Sequence, residues 1–227
     1  MPLLDEPAED PRREALDAAL RQALLERASL ATGSPDAEAI ALRRLIAETP
    51  PRQRALLKSA WGRLSNGARP LAATSGEAAI QAADRFGLQF RVVAGAEAGL
   101  KAAEGGSRVL IELNSGRPWW GRLLLTPGVA VTAALPDDRH GRPTVLVIEP
   151  ALPGPTGDDR TFWTTDDASP NSRIVAAISD LGFGAEFLHE AGGLKLFMLA
   201  GYVQHDDPRL ADAPGRLTGV IGAAPIF

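Results

Sequence analysis

The sequence predicts a mixed α/β fold (α+β overall) in three parts, and three observations predict it. Residues 1–66 carry only helical patterns, residues 67–153 alternate short apolar runs with helical patterns, and residues 154–227 follow a strand-helix-strand-strand-helix-strand order. Alternating strands and helices are typical of a sheet covered by helices. We expect an N-terminal helical segment, then a mainly parallel α/β lobe, then a small C-terminal domain.

Three helices are predicted in the first part. The first follows Asp10, a suitable N-cap, and has Pro11 at its first position, where the missing N–H costs nothing. "TGSP" ends it, the second begins near Pro35, and the third follows "TPP" and ends before "NGARP".

We expect two of these helices to turn an apolar stripe inward, and each stripe carries one charge. Arg27 lies near the centre of an apolar stripe on the first helix, formed by Leu16, Leu20, Ala23, Leu24 and Leu30. On the second helix, Glu38 shares a face with Leu42 and Leu45. A buried guanidinium needs a partner. Arg27 and Glu38 therefore form either an ion pair at the edge of the helical core or part of a polar pocket for a small anion.

The second part contains five candidate strands: "PLAAT", "FRVV", "RVLIEL", "VAVTAALP" and "TVLVIEP". The helical patterns "GEAAIQAADRFG", "AEAGLKAAEGG" and "RPWWGRLLL" separate the first four. This alternation favours a mainly parallel sheet, whereas "DDRHGRP" between the last two strands is typical of a hairpin loop.

A linker rich in proline and glycine, "ALPGPTGDD", precedes the third part. The strands "TFWTTD", "AEFLHEA", "LKLFMLAGYV" and "LTGVIGA" alternate with the helices "SRIVAAISDLG" and "DPRLAD". This order is βαββαβ, the ferredoxin-like unit. The expected boundaries are therefore 1–66, 67–153 and 154–227.

Composition excludes several classes of protein. The formal charge of −4 and the pI near 5.5 provide no basic surface for nucleic acid. The absence of cysteine excludes disulfides and thiolate metal sites, and the three histidines have no metal-ligand spacing. No apolar run is long enough to span a membrane. We expect a cytoplasmic protein that uses no metal or cofactor.

The stretch "RPWWGRLL" has two interpretations. At the start of a helix, Arg117 and Arg122 are suited to hold an anion while Trp120 provides a stacking face. Adjacent tryptophans are more often core or interface anchors, so we favour packing between domains or between two copies.

The stretch "EAGGLKLF" is ambiguous in the same way. Lys195 and His189 are within reach of a carboxylate bound at a sheet interface, but a tight turn at Gly192 and Gly193 accounts for the motif without a ligand.

The stretches "LDAALRQALLERASLA", "EAIALRRLIA" and "ALLKSAWGRLS" resemble the all-helical chorismate mutase family over about residues 12–66. The resemblance implies a cofactor-free rearrangement of chorismate to prephenate, with Arg27 holding a substrate carboxylate and Glu38 ordering its hydroxyl. Other cations of that family's site fall here on Asp10 and Ala37. Substitutes would have to come from residues such as Arg13 and Lys58.

The remaining two thirds resemble a prephenate-dehydratase-like extension with an ACT-like (ferredoxin-like) regulatory domain, through "RVLIELNSG" and "EAGGLKLFMLAGYVQHDDPRL". The sequence has "ELNSG" in place of that family's motif and lacks its second lobe and "TRF" threonine. We therefore expect no prephenate dehydratase activity.

Three functional hypotheses follow. One is a homodimeric chorismate mutase of aromatic amino-acid biosynthesis (the shikimate pathway). The second is a catalytically degenerate regulatory module that binds an aromatic amino acid or a prephenate-like anion. The third is an assembly scaffold in which the tryptophan pair is purely an interface.

Overall fold

The computed structural model describes residues 10–30, 34–66, 69–74 and 76–227. Its first part contains α1(Pro11–Ser29), α2(Pro35–Glu48) and α3(Pro51–Ser65). The Asp10 side chain caps α1 by accepting a 3.0 Å hydrogen bond from the Arg12 amide, as its sequence predicts. The predicted helix stop at residues 32 and 33 lies outside the described residues.

The expected mixed α/β class is confirmed. The strands are β1(Leu71–Ala73), β2(Arg91–Val92), β3(Arg108–Glu112), β4(Ala130–Leu135), β5(Val145–Glu149), β6(Asp159–Thr165), β7(Ala185–Ala191), β8(Leu194–Ala200) and β9(Thr218–Pro225). The further helices are α4(Glu77–Phe86), α5(Gly95–Glu104), α6(Asn171–Asp180) and two 3-10 helices, Trp119–Leu125 and Pro208–Asp212.

The strands form one sheet in the order β2-β1-β3-β5-β4-β9-β6-β8-β7. The pairs β1–β2, β1–β3 and β4–β9 are parallel, whereas β3–β5 and β4–β5 are antiparallel. The expectation of a mainly parallel lobe is therefore wrong. The predicted hairpin between β4 and β5 is present, and it reverses the chain so that β5 pairs with β3 in the opposite direction.

The sheet continues into the third part of the chain. Strand β9 lies between β4 and β6, and the last four strands follow the order β9-β6-β8-β7 with antiparallel neighbours. Helix α6 connects β6 to β7, and the short helix Pro208–Asp212 lies between β8 and β9. The boundaries expected at 66/67 and 153/154 stay a prediction, because the second one falls within a continuous sheet.

Alternate residues of the strands belong to different cores. Phe162 of β6 packs in a cluster with Trp119 and Trp120, while its neighbour Trp163 packs with Ile174 of α6. A third cluster joins β1, β3 and β5 to α4. Helices α2 and α3 cover the sheet next to α4 and form a small cluster of Leu42, Ile46 and Trp61.

Helix α1 departs from its sequence pattern. The stripe expected to face inward is exposed: Leu16 is 63%, Leu20 59% and Leu30 69% accessible. That expectation is wrong because α2 and α3 bury their apolar residues against each other and the sheet. In α1, only Arg27 is not exposed. None of the helices in the described ranges is long and apolar enough to cross a membrane.

Candidate functional site

A cavity of about 70 Å³ lies between the α2–α3 pair and the sheet. Its walls come from α2, α3, the end of α4 and the strands β4 and β5. Gly62 determines how closely α3 approaches α4, because a Cβ at this position would overlap the carbonyl oxygen of Arg85. The residues that carry polar groups into its lining are Ser34, Glu38, Trp61, Ser65, Arg85, Arg108, Thr132, Asp137 and Glu149.

The first charged group in this wall is centred on Asp137. Lys58 Nζ lies 2.6 Å from Asp137 Oδ1, and Arg85 Nη2 lies 3.2 Å from Asp137 Oδ2. Burial lowers the pKa of Arg85, and nearby Arg108 adds to that effect, while Asp137 opposes it. Arg85 Nη1 is buried and has no hydrogen-bond partner. Asp137 Oδ2 also has no hydrogen-bond partner, so this ion pair leaves one buried polar atom unsatisfied on each side.

The second charged group is centred on Glu149 at the end of β5. Its carboxylate pairs with Arg69, lies 3.2 Å from Arg108 Nη2 and accepts a 2.6 Å hydrogen bond from Thr132 Oγ1. Burial acts to raise the pKa of Glu149, but Arg108, Thr132 and Arg69 together lower it below its ordinary value. Arg108 also lies 5.0 Å from the centroid of Phe86, and its Nε has no hydrogen-bond partner.

A third contact closes one edge of the cavity. Arg27 donates a hydrogen bond to Glu38, and its guanidinium carbon lies 4.0 Å from the ring centroid of Trp61. Glu38 and Trp61 both line the cavity. The structure thus shows the Arg27–Glu38 ion pair and places its acidic member in the wall of a polar pocket, so the two interpretations of these residues are compatible.

The arrangement is suited to binding rather than to proton transfer. None of the three histidines, all of which are described, lines this cavity. The Thr132 hydroxyl donates to Glu149, and a carboxylate with a lowered pKa is a weak base. Across the described ranges, no group of three or more acidic, histidine or cysteine side chains is placed to hold a metal ion.

Several residues predicted from the sequence lie away from this cavity. Arg13 is exposed on α1, 3.9 Å from Asp17. Arg117 is exposed, and Arg122 is an exposed residue 3.7 Å from Glu97. These three arginines share no cavity with Arg27 and Glu38.

Trp120 and Lys195 are buried elsewhere. Trp120 is fully buried, with its ring centroid 5.4 Å from His189 in an edge-to-face contact, so neither face of the ring is open to a ligand. Lys195 donates a hydrogen bond to the carbonyl oxygen of Ser169. Lys58 is different, because it contacts Asp137 in the wall of the cavity.

Sequence reasoning missed Arg85, Arg108, Asp137 and Glu149. Arg108 begins the apolar run "RVLIEL" and Glu149 ends the run "TVLVIEP". Opposite charges at the start of one strand and the end of another meet only if the strands are antiparallel neighbours. The incorrect expectation of a mainly parallel lobe concealed this signal.

Comparison with known proteins gives little similarity. No family model matches the chain, and no curated protein matches it. One solved structure, described as "GqqA- a novel type of quorum quenching acylases", is similar with a TM-score of 0.44 and 15% identity, over 71% of this chain and 97% of that chain. At these values the similarity supports no conclusion about function.

These findings overturn the resemblance to chorismate mutases and the resemblance to a prephenate-dehydratase-like extension with an ACT-like domain. The expected assignments to chorismate rearrangement, to aromatic amino-acid biosynthesis and to a degenerate aromatic-ligand module are corrected accordingly, since no family model and no curated protein supports them. Size points the same way. The cavity of about 70 Å³ is well below the roughly 300 Å³ usual for ligands of drug size. Catalytic roles for Arg27 and Glu38 stay untested predictions.

Proposed function

We propose that the chain is a binding protein for a compact anion, a small carboxylate or an inorganic oxyanion, held in the cavity between α2, α3 and the sheet. Arg85 and Arg108 are the ligand-binding residues of this proposal. Lys58, Arg27 and Glu38, which the sequence singled out, form its surroundings.

One observation carries the proposal. Arg85 and Arg108 line the same cavity, and each has a buried guanidinium nitrogen without a hydrogen-bond partner. A buried donor left unpaired costs about 1–3 kcal/mol, and more when the group is charged. An anion beside the two arginines would supply acceptors and compensate charge at the same time.

The size of the cavity limits the ligand. A buried water needs roughly 10–15 Å³ of cavity volume. A cavity of about 70 Å³ therefore accommodates a few water molecules or one compact anion. Acetate, hydrogencarbonate and phosphate belong to this class.

The apolar part of the wall strengthens the attraction. Leu42, Leu135, Val147 and the ring of Phe227 line the cavity alongside the arginines. Charges interact more strongly where such side chains exclude water, because the effective dielectric constant is lower. An anion in direct contact with Arg85 and Arg108 is therefore held more strongly here than it would be in water.

Calorimetric titration of the full chain with acetate, hydrogencarbonate and phosphate tests the proposal. We expect saturable binding of at least one, weakened about 10-fold to 100-fold by Arg85→Met or Arg108→Met, because each removes a charged hydrogen bond. Arg122→Met is the matched control, since Arg122 is exposed and distant from the cavity lining. Absence of binding for all three anions would exclude the proposed function, and so would equal weakening by the control.

The homodimer, the cytoplasmic location and the absence of nucleic-acid partners expected from the sequence stay predictions. Sedimentation of the full chain tests the first of them.

A further inference from the structure

Helix α1 is attached to the rest of the chain in an unusual way. Of its residues, Pro11–Ser29, every one except Arg27 is exposed. An open groove of about 420 Å³ is bounded by residues of α1 and by Leu64 of α3. Helix α1 therefore does not pack tightly on its neighbour, and its leucines contribute little to holding it.

Arg27 is the residue of α1 whose side chain contacts both α2 and α3. Its guanidinium lies over Trp61 of α3 and donates to Glu38 of α2, and the side chain is 23% accessible. Among the hydrogen bonds of the described residues, this one joins α1 to the body of the molecule. Both residues that Arg27 contacts also line the cavity.

We infer that α1 is a latch whose docking through Arg27 is coupled to occupation of the cavity. The inference rests on the proposed function, because the occupant is the anion proposed above. When α1 is docked, Arg27 compensates the negative charge of Glu38 in the cavity wall. When α1 leaves, the positive charge of Arg27 leaves with it, so this part of the cavity wall becomes more negative and attracts an incoming anion less.

The coupling is therefore positive. An anion in the cavity favours docked α1, and by thermodynamic reciprocity docked α1 favours the anion by the same factor. Release of α1 requires little reorganisation, because it exposes few buried atoms and leaves the helices α2 and α3 in place. Helix α1 thus has the properties of an element that reports occupancy to the surface of the protein.

Hydrogen exchange of the full chain, read by mass spectrometry with and without phosphate, tests the docking step. We expect exchange in α1 to rise about tenfold in Arg27→Ala, since a cation–π contact and an ion pair are lost together. Exchange in β4 and β5 should stay unchanged, which shows that the variant folds. Arg21→Ala is the control, because Arg21 is an exposed arginine of the same helix.

The coupling is tested by adding the anion. In the wild-type chain phosphate should slow exchange in α1, and in Arg27→Ala it should bind several-fold more weakly and leave α1 unaffected. The double variant Arg27→Ala/Glu38→Gln should recover phosphate binding, because the repelling charge is gone, while α1 stays released.

The possible failures are distinct. If Arg27→Ala leaves exchange in α1 at the wild-type level, the latch is overturned whatever the anion does. If phosphate binds equally well to Arg27→Ala and the wild type, the coupling is overturned but the proposed function stands. If no anion of the series binds while Arg27→Ala still frees α1, the proposed function and the coupling fail together, and only the docking contact remains.

Discussion

The two faces of β4 and β5 differ in what they bury. On one face, Val131 and Ile148 pack with Trp120 in an apolar cluster. On the other, Thr132 and Glu149 lie beneath α2 and α3 with Arg108. The same pair of strands therefore supports an apolar core on one side and, on the other, a charged cavity next to the apolar cluster that packs on α4. Alternation of side chains along a strand makes this division possible.

The difference teaches that apolar burial and charged groups contribute unequally to the stability of the fold. Apolar burial contributes about 25 cal/mol for each Å² removed from water, whereas a buried ion pair recovers little more than its desolvation cost. The charged part of the second face is thus a poor source of stability for the area it occupies. Its arginine nitrogens without hydrogen bonds are the groups that the proposed anion would pair with.

The largest effect is expected on the apolar face. Trp120→Ala should lower the free energy of unfolding by about 3–5 kcal/mol, because it leaves a cavity in the core. Urea unfolding measures this, and anion binding at low denaturant should be unchanged. Leu125→Ala in the same 3-10 helix is the control, since Leu125 is 79% exposed. A loss of anion binding in Trp120→Ala would show that the two faces are not independent.

A change at the centre of the charged group should come next. Glu149→Gln should cost about 3 kcal/mol of stability, since it removes the shared partner of Arg69 and Arg108 and leaves their charges buried. Thermal unfolding measures the loss, with exposed Glu190→Gln as the control. A cost equal to that of the control would mean that solvent, and not Glu149, compensates the two arginines.

The close approach of α3 to α4 provides a smaller test. Gly62→Ala should cost about 1–3 kcal/mol and weaken anion binding, because the new Cβ forces α3 away from the carbonyl oxygen of Arg85. Gly105→Ala is the control, since a Cβ at that position makes only ordinary contacts. Both are measured by urea unfolding and calorimetry. If Gly62→Ala is destabilised but binds the anion as the wild type does, the affinity does not depend on how closely α3 approaches α4.

Acidification should lower the stability of the folded chain by protonating Glu149. Because its pKa is lower in the folded chain than its ordinary value of 4.5, its contribution to stability is complete above pH 4.5 and is lost as the pH falls through the folded pKa. The stability difference between the wild type and Glu149→Gln should therefore shrink on acidification. Unfolding curves from pH 6 to pH 3 measure it, and a constant difference would contradict the assignment.

The smallest effect concerns His189 beside Trp120. Burial lowers the pKa of His189, and Arg142 lowers it further, so the folded chain favours the neutral ring. Its contribution to stability is present above pH 6.5 and falls as the pH drops through the folded pKa. Replacing His189 with Gln should make the free energy of unfolding less dependent on pH in this range. Replacing the exposed His205 with Gln should leave that dependence unchanged.

Local features of the sequence predicted the fold in part. The Asp10 and Pro11 start of α1 and the hairpin between β4 and β5 are confirmed, because caps and turns depend on residues close in the chain. The parallel lobe and the inward stripe of α1 are wrong. Both depend on which distant element supplies a partner, and periodicity carries no information about that.

The candidate site was predictable only in fragments. Arg27 and Glu38 stood out because they interrupt apolar faces of helices, and the structure pairs them. Arg85, Arg108 and Glu149 did not stand out, since charged residues at the ends of helices and strands are ordinary features of a sequence. Their role appears only when β3 and β5 lie side by side beneath α3.

By itself the sequence determined the helix starts, the strand candidates and the two charged residues that lie on apolar helix faces, because these are properties of neighbouring residues. Only the tertiary structure decided that one sheet crosses the expected boundary, that α1 stands apart, and that two arginines line the same cavity. The physical reason is that burial and charge compensation are set by residues far apart in the chain, whose pairing no local pattern encodes.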